Sequence, residues 1–91
     1  MVCRYYLISG KVQGVGFRQF TARAAHNLKL AGWVRNLAGG SVEAEAMGEI
    51  VQINQFEAEL RKGPPLSRVD AVIVNNISHA KKLPAPFEIR H

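Results

Sequence analysis

Gly10-Lys11-Val12-Gln13-Gly14-Val15-Gly16-Phe17-Arg18 decides the reading of this chain, because it joins a strand to a helix through three glycines. Before it, Arg4 to Ser9 alternates Tyr6 and Ile8 against Tyr5 and Leu7, aromatic and aliphatic residues that suit a pleated surface and predict a first strand. After it, Phe17, Phe20, Ala24 and Leu28 recur at spacings of three and four, which predicts one apolar stripe on a helix from about Phe17 to about Leu30. A helix start leaves its first amides unpaired and carries partial positive charge, so a glycine-rich approach lets several N–H groups converge on one anion. Glycines in such a turn also serve backbone angles alone.

Working outward, Trp33, Val34 and Leu37 mark a short strand before Ala38-Gly39-Gly40, and Ser41 to Met47 alternates Val42, Ala44 and Ala46 against Glu43, Glu45 and Met47. That is a hairpin with one buried face. Ile50, Ile53, Phe56 and Leu60 predict a second amphipathic helix, stopped by Gly63-Pro64-Pro65; Gly48 is only a fair cap for its start. Val69 to Val74 reads as a β-branched strand, and Phe87 to Arg90 as a short last one after Pro84-Ala85-Pro86. The order β-α-β-β-α-β predicts an α+β, ferredoxin-like sandwich with two helices on one face of an antiparallel sheet and a short extra C-terminal strand.

With 91 residues the chain has surface to bury for one core and not two, so residues 1–91 are expected to form a single domain. Its 47% hydrophobic and 21% charged residues are those of an ordinary globular domain and exclude a disordered class. No apolar run approaches the roughly 18 residues that span a bilayer, and Met1 to Tyr6 lacks the apolar region of a signal peptide, so a cytoplasmic protein with no membrane partner is expected. Cys3, the only cysteine, excludes an intrachain disulfide. The net charge of +5 favours anionic partners, nucleic acid or a small phosphorylated substrate, although such excess is often only a solvated surface.

The glycine segment fits neither a nucleotide P-loop, which needs Lys-Ser or Lys-Thr after its last glycine, nor a dinucleotide fingerprint. It does place Arg18 in a first helical turn, where a planar guanidinium can join the amides on a tetrahedral dianion, or simply be solvated. Asn36 stands at a strand end beside a tight turn, within Gly32-Trp33-Val34-Arg35-Asn36-Leu37-Ala38-Gly39-Gly40-Ser41-Val42-Glu43. It either forms that turn or orients a water, since a neutral amide both donates and accepts. His26, His79 and His91 have no metal-ligand spacing and read as solvated; Glu43 and Glu45 read as a solvated face, Phe17 and Phe20 as core, and Cys3 has no adjacent base.

Together, Gly10 to Arg18, Gly32 to Asn36 and Gly39 to Glu43 closely resemble the two signatures of the acylphosphatase family, and the likeness runs through Gly63-Pro64-Pro65 to Phe87-Glu88-Ile89. The resemblance implies a ferredoxin-like fold and hydrolysis of acyl phosphates to carboxylate and inorganic phosphate. It implies that Arg18 binds the phosphate, that Gly14, Val15, Gly16 and Phe17 supply backbone amides, and that Asn36 holds the attacking water. It also implies a metal-independent hydrolase with no cofactor, inhibited by its product phosphate; a monomer is expected. Some members carry a second cysteine where this chain has Met47, so a disulfide anchored on Cys3 does not apply.

Two other readings share the element order. An RNA recognition module would need stacking aromatics on its third strand, and Ser41 to Met47 has none, so no nucleic-acid partner is expected. A non-catalytic or carbamoyl phosphate-handling domain would normally sit within a longer maturation protein, and the end of this chain at His91 favours the free-standing enzyme.

Overall fold

The computed structural model describes residues 1–78 and 82–91; the predicted solvated His79 lies outside the described residues. The elements follow the order read from the sequence: β1 (Val2–Lys11), α1 (Phe17–Asn27), β2 (Ala31–Asn36), β3 (Val42–Gly48), α2 (Ile50–Lys62), β4 (Arg68–Ile77) and β5 (Glu88–Arg90). The sheet order is β4-β1-β3-β2-β5. β1 runs antiparallel to β3 and β4, and β2 antiparallel to β3, with Tyr6 opposite Ala44 and Val34 opposite Ala44. The added strand corrects one expectation. β5 pairs with β2 in parallel, Val34 opposite Ile89, so the sheet is mixed rather than wholly antiparallel.

Period-two patterning puts Tyr6, Ile8, Val34, Val42, Ala44 and Ala46 on one face, where they meet Phe17, Ala22 and Ala25 of α1 and Ile53, Phe56 and Leu60 of α2. The Phe56 ring centroid lies 5.6 Å from Tyr6 and 5.9 Å from Phe87 in edge arrangements. Each fully buried side chain of this size contributes about 1.5–3 kcal/mol. No helix among the described residues is long and apolar enough to cross a membrane.

Several local expectations change. α1 stops at Asn27, not Leu30, because Lys29 adopts φ 58° and turns the chain so that Leu30 N–H donates to the Ala25 carbonyl. Ile50 begins α2 but is exposed, so the buried stripe starts one turn later at Ile53. Phe20 is half-buried rather than core, with its ring 6.1 Å from Phe17.

Glu43 and Glu45 face away from the helices, as their alternation predicts, yet they are buried, at 7% and 4% exposure. Long neighbours cover them: Tyr5 Oη donates to Glu43 Oε2 and Arg35 Nε to Glu43 Oε1, while Arg35 and Arg90 both lie over the Trp33 ring. Cys3 is buried directly opposite Met47 across β1 and β3, so the family position for a second cysteine is here a packing contact.

Candidate active site

Strand direction decides where the site can form. β1 and β2 both pair antiparallel with β3 and therefore run the same way, and β5 runs parallel to β2. The C-terminal ends of all three thus lie at one end of the sheet, where residues 12–16 lead from β1 into α1.

Between β1 and α1, Gly14 and Gly16 take φ 75° and 77°. A Cβ at either position would meet nothing within 4 Å, so backbone angle rather than space requires glycine there. Left-handed residues interleaved with ordinary ones make a concave nest of N–H groups. Gly16 caps α1 with no side-chain bond, and its carbonyl accepts from Phe20 N–H 3.0 Å away. The amides ahead of Phe20 have no partner inside the helix and, together with its partial positive charge, favour an anion.

Arg18 sits in that first turn. Its Nη1 donates to the Arg90 carbonyl at 3.2 Å and lies 3.1 Å from His91 Nδ1, so the end of β5 steadies the guanidinium. Asn36 is the last residue of β2, half-buried and opposite Val42 of β3. Arg18 and Asn36 line one cavity of about 240 Å³ together with Gly14, Gly16, Phe17, Gln13, Gln19 and Val12. That lining contains a guanidinium and three side-chain amides but no carboxylate, imidazole or thiol. Val15 is the one sequence-predicted residue outside it; its half-buried side chain packs against the core. A larger cavity of about 470 Å³ lies between α1 and α2, lined by Phe20, Arg23 and Gln55 among others, and holds none of the predicted site residues.

Sequence reasoning passed over Gln13, although it stands inside the quoted segment. Its Nε2 donates to the carbonyls of Leu37, at 2.8 Å, and Ser41, at 2.9 Å, on the turn that follows Asn36. Leu37 N–H also donates to the Ser41 carbonyl at 2.8 Å, closing the hairpin mouth. His26 stays outside the cavity: it is exposed, with Nε2 2.7 Å from the Phe87 carbonyl. Among the described residues no three His, Cys, Asp or Glu side chains converge as a metal site.

The acylphosphatase family model matches residues 4–89. A curated acylphosphatase from Koribacter versatilis is 53% identical over 73 residues, a match that covers 80% of this chain and spans 66% of that relative's length. The crystal structure of an acylphosphatase from Bacillus subtilis aligns over 100% of both chains with a TM-score of 0.95 and 34% identity. Full-length HypF, solved in a phosphate- and nucleotide-bound form, aligns with a TM-score of 0.85 and 31% identity over 99% of this chain and 12% of its own.

Proposed function

Because the chain belongs to the acylphosphatase family, we propose that it hydrolyses acyl phosphates to carboxylate and inorganic phosphate in the cavity shared by Arg18 and Asn36. One observation carries the assignment of residues: these two side chains, from separate elements, line the same small cavity with the left-handed glycines 14 and 16. The amides of residues 14–17 and the Arg18 guanidinium hold the phosphoryl oxygens and stabilise their charge in the transition state. Asn36 accepts a hydrogen bond from a water and aims its oxygen at phosphorus, in line with the bond to be broken.

The water oxygen bonds to phosphorus, the bond from phosphorus to the acyl oxygen breaks, and the carboxylate leaves with the electron pair. A carboxylate is a good leaving group and needs no general acid. The lining offers no titratable base, so the water's proton passes to a phosphoryl oxygen of the substrate itself. The phosphate produced occupies the same cradle and inhibits competitively.

A monomeric cytoplasmic protein of one domain belongs to this reading. An RNA-binding role is disfavoured by the open sheet face: β3 presents Glu43 and Glu45 at its centre, and the Trp33 ring is already covered by two arginines.

The deciding assay compares hydrolysis of an aromatic acyl phosphate with that of a phosphate monoester, with and without a chelator. Turnover of the anhydride should exceed that of the ester by orders of magnitude and survive the chelator. No hydrolysis of the anhydride would leave phosphate binding without chemistry, as in a domain that only handles carbamoyl phosphate.

A further inference from the structure

We propose that Gln13 is a positioning residue for the hydrolysis, its side-chain amide setting the separation between the phosphate cradle and Asn36; this rests on the roles given to Arg18 and Asn36 above. The cradle follows β1 and Asn36 ends β2, and β3 lies between those strands. Neighbouring strands are about 4.8 Å apart, so the two halves of the site start about 10 Å from each other with only β3 between them. Beyond Ile8, opposite Val42, β1 no longer pairs with β3, and its register with β4 shifts between Ser9 and Gly10. The chain that leads into the cradle therefore has no ladder bond to the hairpin that carries Asn36.

Gln13 supplies the link. An amide NH₂ has two donors, and here both are used, on the Leu37 and Ser41 carbonyls that flank the turn after Asn36. The side chain borders the cavity, but with both N–H groups engaged on the hairpin it has no donor left for a phosphoryl oxygen. Its effect on the reaction is therefore exerted through Asn36. A shift of about 1 Å in a positioned group can cost about 10²-fold in rate, which sets the scale of what this link controls.

Gln13→Met keeps the length of the side chain and removes both donors. With an aromatic acyl phosphate, kcat should fall by about 10- to 100-fold, while the inhibition constant of inorganic phosphate changes by less than about threefold because Arg18 and the cradle amides remain. In an Asn36→Ala background the same change should cost less than about threefold, since the group it positions is gone. Equal losses in both backgrounds would show a merely structural residue, and phosphate binding weakened as much as kcat would show a direct substrate contact; either overturns the proposal. Wild-type kcat in Gln13→Met beside an inactive Asn36→Ala overturns it alone and leaves the reading of the site standing. A fully active Asn36→Ala protein overturns both.

If Gln13→Met fails to fold, Gln13→Glu replaces it. A protonated carboxyl keeps one O–H donor and a carboxylate has none, so its kcat should rise as pH falls, and that rise should vanish in an Asn36→Ala background, where a mere charge repulsion of the substrate would persist. A kcat independent of pH would overturn the proposal.

Discussion

Replacing Arg18 and Asn36 one at a time should separate the two halves of the reaction. Arg18→Ala removes a charge-assisted hydrogen bond to phosphate, worth about 1.5–3 kcal/mol, so phosphate inhibition should weaken by about 10- to 150-fold and turnover should collapse with it. The lost bond to the Arg90 carbonyl is exposed and costs little stability. Asn36→Ala leaves the glycines and Arg18 in place, so phosphate should bind within about threefold of wild type. Turnover should nonetheless fall by about 10²-fold or more, about 2.7 kcal/mol of transition-state stabilisation, the scale of losing one preorganised polar group. Asn36 is half-buried at the end of a strand whose ladder the substitution spares, so the melting temperature should drop by no more than about 8 °C. The measurements are steady-state hydrolysis of an aromatic acyl phosphate, inhibition by inorganic phosphate and thermal unfolding of each variant. An Asn36→Ala protein that melts normally and keeps more than about a tenth of wild-type turnover, a loss under about 1.4 kcal/mol, would refute the water-holding role.

Gly16→Ala meets open space but must hold φ 77°, so about 1–2 kcal/mol of strain should fall on the cradle; weaker phosphate inhibition with a small change in melting temperature is expected. Gly32→Ala differs in cause: its Cβ would run into the Glu45 carbonyl and the Phe87 ring at φ 147°, and urea denaturation should show a loss above about 3 kcal/mol. Burial, with the Glu57 carboxylate adding to it, pushes the Tyr6 phenol from 10.0 up to about 12. The fold thus holds this proton more tightly than the unfolded chain does, and the stability this contributes is full below about pH 10 and lost as pH rises through about 12. Alkaline unfolding followed by circular dichroism should become shallower in Tyr6→Phe; an unchanged profile would assign the limb to another group.

The element order was legible because the periods are unambiguous: Tyr6 and Ile8 alternate against Tyr5 and Leu7, and Ile53, Phe56 and Leu60 step by three and four. What the pattern could not give is what tertiary contacts decide. β5 has three residues and no local signal for lying parallel beside β2. Glu43 and Glu45 carry the mark of a solvated face, and only the register that sets Arg35 opposite Glu43 and Tyr5 opposite Glu45 shows why two carboxylates end up covered. The residues of the site were individually legible, Arg18 as a cation at a helix start and Asn36 at a turn. Their convergence was not, because neither spacing nor period records which strand ends share an edge of the sheet; the family resemblance supplied it.

That convergence follows from the order β1-β3-β2. Setting β3 between two strands that run the same way brings the end of β1, the end of β2 and the start of α1 to one side, one strand's width apart on either hand of Val42. Direct neighbours would put Asn36 about 4.8 Å from the cradle, too close for a phosphoryl group and a water to lie in line between them; three strand widths, about 14 Å, would be too far for one water to bridge. On the proposed roles of Arg18 and Asn36, the chemistry depends on a spacing that the sheet sets coarsely, through the β1–β3–β2 ladders, and that Gln13 sets finely, through two hydrogen bonds of 2.8 and 2.9 Å to the hairpin mouth. The coarse term is shared with every protein of this topology, whatever it does. On the reading proposed above, the fine term, with the left-handed glycines and Arg18, turns one end of a common sheet into a site for a phosphoryl group.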